Sequence, residues 1–264
     1  MDRHEIIKKS SNNESKPISI PDSACKWTNS DQYLSDGFNF TTIEKSIIYP
    51  KKRMCDLAFT KDINSRHFDD GIKCGTRYPF TKPEIREIYK KMKFLFNHLK
   101  CEKNWIEKEF SDFYLSIFQK LKMESEPKVS RSINIENKVI YDEIDMEIHR
   151  DSAIKLVIEV KDKRNPKSCH AITQLRCHLL ASLQKEHYQN SPTEQLVLYG
   201  ATIISFKITF YRVKLSVEYL EHLKKHLPPE TLKFKLEQIS EELDFVDFND
   251  RKEFFNFLYY IMNC

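Results

Sequence analysis

Glycine is nearly missing from this chain, at 4 residues among 264. A loop that cradles phosphate with its backbone needs glycines in close succession, and neither GxGxxG nor GxxxxGK[ST] occurs. Nucleotide-binding folds built on such loops are therefore excluded. Long apolar runs are missing too. No stretch of about 18 apolar residues exists, so no membrane-spanning helix is expected, and the N-terminus lacks the apolar core of a secretory leader. Cysteine supplies no framework: there are 7, an odd number at wide and irregular spacing. That fits a reducing intracellular compartment, nuclear or cytoplasmic, better than a disulfide scaffold. Nor does one sign of charge dominate. Lys and Arg number 43 against 39 Asp and Glu, a formal net charge of +4, which permits a nucleic-acid partner without demanding one.

What is present is a balanced composition for a folded protein, 40% hydrophobic and 31% charged, with 18 Phe and 12 Tyr. Residues 1–40 are polar and rich in Ser, Asn and Lys, which predicts a loosely attached tail. Pro50 followed by Lys51, Lys52 and Arg53 reads as a solvated loop rather than a nuclear address. The expected division is a polar, partly disordered region over 1–78 and a domain over 79–264.

Thr81 as N-cap with Glu84 three residues on predicts a helix, and Ile85, Ile88, Met92, Leu95, Phe96 and Leu99 continue it at helical spacing. A second helix is expected over about 103–122, with Phe110, Phe113, Ile117 and Leu121 on its apolar face. Beyond Pro127 the period changes to two. Residues 130–135 and 138–148 predict a hairpin turning at Glu136-Asn137, and the run to Lys161 predicts a short β-branched strand. A charged turn leads to a helix over 170–186, then strands over 195–200 and 202–214, then helices over 229–242 and 250–262.

Side chains alternate faces along a strand. Ile144, Met146 and Ile148 should share one face and Glu143, Asp145 and Glu147 the other. In the next strand Leu156, Ile158 and Val160 oppose Val157, Glu159 and Lys161. Pairing these strands sets Asp145 beside Glu159. Phosphodiester hydrolysis needs a cation that neutralises phosphate charge and makes water a nucleophile; magnesium does both and prefers hard oxygen ligands. Asp145 and Glu159 are the candidate carboxylates, the Val160 carbonyl a third oxygen, and Lys161 the group that orients water. Asp142, Glu143 and Glu147 compete with Asp145. The bland reading is the solvated, charged face of an edge hairpin.

An Asp, a spacer and then Ile158-Glu159-Val160-Lys161 on an apolar strand resembles the PD-(D/E)xK, or restriction-endonuclease-like, superfamily. The resemblance covers about residues 100–213. It implies an α/β fold, an α/β/α sandwich with a mixed central sheet and an αβββαβ core. It further implies magnesium-dependent (or manganese-dependent) cleavage of nucleic acid, DNA being the expected substrate, and no membrane partner. Relatives carry a Glu on the helix before the first strand, for which Glu109 is preferred over Glu107 and Asp112. They also carry a Gln near the substrate backbone, here Gln174. His178 stands where the RecB-like subgroup has Tyr. Leu198 to Thr202 with Ile208 to Arg212 resembles the final strands of Crinkler-type and mobile-element nuclease domains. Two alternatives stand beside this: a nuclease-like domain that binds without cutting, and an interaction module with no nucleic-acid partner.

His170 and His178 flank Cys169 and Cys177, but adjacent helix residues point apart, so zinc is not expected; a buried Cys177 and a surface His178 are. The aromatic stripe from Phe254 to Met262 is expected to dock on the domain's own core. Lys155, Lys161, Lys163, Arg164 and Lys167 surround the candidate site and are expected to meet phosphates.

Overall fold

Strands with apolar residues on both faces must lie between two layers, and the segment around Glu159 is of this kind. In a computed structural model, residues 38, 40–50, 63, 68, 82–101, 106–136, 138–189, 195–226, 228–229 and 231–264 are described. Most of the expected tail, the Lys51 to Arg53 run and the Thr81 cap lie outside them.

The elements are β1 (Glu44–Lys45), α1 (Pro83–Cys101), α2 (Glu107–Lys120), β2 (Glu124–Ile135), β3 (Lys138–Arg150) and β4 (Ala153–Lys161). A short 3-10 turn, Pro166–His170, leads into α3 (Ala171–Gln189). Then come β5 (Gln195–Ile204), β6 (Lys207–Ser216), α4 (Val217–Lys225), β7 (Lys235–Gln238), β8 (Leu243–Asp244) and α5 (Phe248–Met262). The sheet has 8 strands in the order β1-β7-β6-β5-β4-β3-β2, with β8 also on β6. It is mixed: β4 and β5 run parallel, as do β1 and β7, and the other pairs are antiparallel. A parallel pair needs a long crossover, which α3 supplies between β4 and β5.

Two apolar cores flank the sheet. Residues of α1, α2 and α5 pack with Met146, Ile148, Leu156, Ile158 and Val160. Residues of α3 and α4 pack with Ile140, Ile144, Val157, Leu198 and Val213. The protein is thus α/β, with helices on both faces of a mixed sheet. The expected docking of the C-terminal aromatic stripe is met, since Phe254, Phe255, Phe257, Leu258 and Ile261 are buried in the first core. No helix among the described residues is long and apolar enough to cross a membrane.

Several sequence expectations are corrected. The described residues of 229–242 form no helix; β7 lies within this stretch and β8 follows it. Alternation decides it, because Phe234 and Leu236 are buried while Lys235 between them is exposed. Helix α4 was not anticipated, although Ser216 caps it by accepting from the Tyr219 amide at 3.3 Å. The β5–β6 turn falls at Ser205-Phe206, not at 201, and Ser205 takes the positive φ of 59° in place of a glycine. The described part of the N-terminal region is built into the domain: β1 pairs with β7 and Phe38 is fully buried.

Strict alternation also fails inside β3. Asp142 reaches α3 through His178 and Glu147 reaches it through Ser182, an even and an odd position on one face. Correspondingly, Ile144 joins the α3 core while Met146 and Ile148 join the opposite one. The faces exchange between Ile144 and Met146. Across from this point β2 bends at Lys128, whose φ is 55°.

Gly200, in the middle of β5, lets α3 approach. A Cβ there would meet methyl carbons of Leu175 and Leu179 at 3.1 Å. Gly200→Val is expected to cost about 1–3 kcal/mol through overpacking, and Gly200→Ala less. Urea denaturation measures both, and a Val variant as stable as the wild type would contradict this packing.

Candidate active site

The β3–β4 ladder shifts register between Ile148 and His149 and ends at Met146↔Ile158. One more step would put Asp145 across from Glu159. There the ladder stops, and the Val160 amide donates to Asp145 Oδ2 at 2.8 Å. The end of β4 therefore carries a carboxylate from its neighbour in place of a backbone bond.

Lys161 Nζ gathers the acidic groups. It lies 2.5 Å from Glu159 Oε1, 3.3 Å from Glu107 Oε1 and 3.9 Å from Asp145 Oδ2, and donates to the Val160 carbonyl at 3.2 Å. The other oxygen of Glu159 meets His178 Nε2 at 2.5 Å, and His178 Nδ1 meets Asp142 Oδ2 at 2.5 Å. Asp142, Asp145, Glu159, Lys161 and His178 are all buried. Lys128 is the exposed member: its side chain is 58% accessible and lies 3.1 Å from Asp145 Oδ1.

Helix α2 is fixed by Asp162, the residue that follows β4. Ile106 starts that helix without a side-chain cap, and its amide donates to Asp162 Oδ2 at 3.0 Å. Arg164 binds the same carboxylate through Nε and Nη2. Burial would raise Asp162, but the Arg164 bonds and the Ile106 amide hold it below the usual range. Glu107, the first residue of the helix, is thereby aimed at Lys161, and its second oxygen accepts from Asn165 at 3.2 Å.

These charges support one another. Burial raises Glu159, with Asp145 adding to it, while His178 and Lys161 pull it back. Burial would lower His178, yet Glu159 and Asp142 lift it to about 10. Burial opposes the Lys161 charge as well, and Glu159, Asp145 and Glu107 together raise it above its ordinary value. Both surroundings therefore favour the charged forms of Lys161 and His178.

Asp145, Glu159, Lys161 and the Val160 carbonyl converge, and their side chains are buried where β3 and β4 meet α2 and α3 rather than solvated as on an edge hairpin. Glu109 does not join them. It is exposed, and Glu107 holds Lys161 instead, because residues two apart on a helix point about 200° apart. Asp112 is exposed as well, and Glu143 meets Lys128 at 3.2 Å on the outer side. Glu147 is held by Arg131 and Ser182. Gln174 is buried on α3, one turn before His178. His178 is the main correction: expected on the surface, it is 2% exposed. Its spacing of four from Gln174 was the available signal. Cys177 is buried as expected, with its Sγ 3.1 Å from the Thr173 carbonyl. In the basic run Arg164 is taken by Asp162, while Lys163 and Lys167 are exposed.

No family model matches the chain, and no curated protein matches it in sequence.

The raised His178 carries a pH signature. A histidine whose folded pKa exceeds its unfolded value of about 6.5 stabilises fully below that value and loses the effect as pH rises to about 10. The stability gap between wild type and His178→Gln should be widest below pH 6.5 and narrow toward pH 10. Urea midpoints across that range measure it, and a gap that widens with pH would refute the imidazolium.

Proposed function

We propose that the protein is a metal-dependent hydrolase of phosphodiester bonds in nucleic acid, DNA being the favoured substrate, with a PD-(D/E)xK-type site. The observation that carries this reading is the convergence of Asp145, Glu159 and the Val160 carbonyl on one point with Lys161 beside them. The order α2-β2-β3-β4-α3-β5 is consistent with an αβββαβ core.

The donor set suits magnesium or manganese. It offers only hard oxygens, and four carboxylates (Asp142, Asp145, Glu159, Glu107) face three cations (His178, Lys161, Lys128). Asp145, Glu159 and the Val160 carbonyl would hold the ion, which when bound supplies charge neutralisation at the phosphate and a more acidic water. Lys161 donates to the attacking water and to charge developing on the phosphate. Glu107 holds the Lys161 ammonium in line. His178 fixes the Glu159 carboxylate and is itself fixed by Asp142. Exposed Lys163 and Lys167, just past β4, supply phosphate contacts that give affinity without sequence preference.

A second reading, binding without cleavage, is favoured by one fact: both oxygens of Glu159 already carry a cationic partner, Lys161 and His178. A metal ion must then compete with the lysine.

Asp145→Asn and Lys161→Ala are each expected to abolish magnesium-dependent nicking of plasmid DNA while the fold and salt-sensitive DNA binding persist. Cleavage by both purified variants would refute the catalytic assignment, and a wild type that binds DNA but never nicks it supports the second reading. Glu107→Gln should slow cleavage by about 10–100-fold, the usual cost of losing a supporting partner, and Glu109→Gln should change nothing. Equal rates for those two variants would remove Glu107 from the site.

A further inference from the structure

Glu126 and Glu147 are direct cross-strand partners on β2 and β3, and His149 lies two residues beyond Glu147. Two carboxylates facing each other across a ladder repel unless a cation lies between them. One ligand atom from each of Glu126, Glu147 and His149 falls within 4.8 Å of the others. His149 Nε2 is buried and makes no hydrogen bond, although it lies 3.3 Å from Glu147 Oε2 and 4.0 Å from Glu126 Oε2. The imidazole is 6% exposed. A buried ring nitrogen aimed at two carboxylates without bonding either is unusual in a folded interior.

We propose that Glu126, Glu147 and His149 form a second metal site, separate from the Asp145–Glu159 cluster, for a first-row divalent ion of the zinc class. One imidazole nitrogen with two carboxylates favours zinc, cobalt or nickel over magnesium, which prefers oxygen ligands alone. Arg131 does not fill the site. A carboxylate accepts at about four positions. Arg131 Nε and Ser182 use Oε1 of Glu147, and Arg131 Nη2 uses one position on Oε2, leaving the position that faces His149. The nearby guanidinium keeps affinity modest. Glu126, with a side chain 54% exposed, opens the site to solvent and leaves room for water as a further ligand. Bound there, the ion clamps the outer part of β2 onto β3.

The test is cobalt titration of the full chain carrying Asp145→Asn, followed by its visible absorption bands, with zinc-dependent melting as a second readout. The expected result is one equivalent bound, a higher melting temperature with zinc, no competition by magnesium, and affinity at least about tenfold weaker in His149→Ala. Glu126→Gln replaces a half-exposed side chain and should show the same loss if His149→Ala fails to fold. Absent cobalt bands, or binding unchanged in Glu126→Gln, would overturn the site. Neither outcome bears on DNA cleavage, which depends on the other cluster.

Discussion

Glu159 is a buried carboxylate in the middle of a sheet, and it is tolerated because a cation closes on each of its oxygens. Removing one partner of a buried pair typically costs about 3–5 kcal/mol, so these contacts cannot be idle. Each cation brings its own requirement. Lys161 is buried and draws in Asp145 and Glu107. His178 is buried and draws in Asp142. Four elements, β3, β4, α2 and α3, are tied to one another through this single charge.

The opposite face of β4 is purely apolar. Leu156, Ile158 and Val160 lie in the core shared with α1, α2 and α5, while Val157 joins the α3 core, Glu159 meets His178 of α3 and Lys161 meets Glu107 of α2. From Leu156 onward this strand thus anchors the fold with its even positions and carries the buried charges of Glu159 and Lys161 on its odd ones. Its last turn outward, Asp162, then fastens the start of α2. Helix and strand ends meet at one place because Asp162 binds the Ile106 amide and Lys161 binds the adjacent Glu107.

Much of this was legible in the sequence. Period-two patterning located β3 and β4, and parity along β4 correctly joined Glu159 with Lys161. What was hidden depended on contacts between elements. The exchange of faces near Lys128 brought Asp142 to His178, and no local pattern announces a bend shared by two strands. Glu109 was preferred for its place beside Phe110, yet the rotation of α2 set by Asp162 chose Glu107. The helix expected over 229–242 failed because Phe234 and Leu236 bury by alternation, Phe234 bridging to Phe40 and Leu236 pairing with Val213 of β6. The role of His178 lies in two carboxylates distant in sequence, so adjacency to Cys177 gave no hint of it.

For the proposed metal-dependent chemistry, Glu159 must exchange its lysine for a metal ion. The direct measurement is a crystal structure of the chain soaked in manganese, with anomalous difference density located against the protein. The expected result is a peak bonded to Asp145, Glu159 and the Val160 carbonyl, with the Lys161 ammonium withdrawn from Glu159. Lys161 still seated on Glu159 with no peak between the two carboxylates would contradict it.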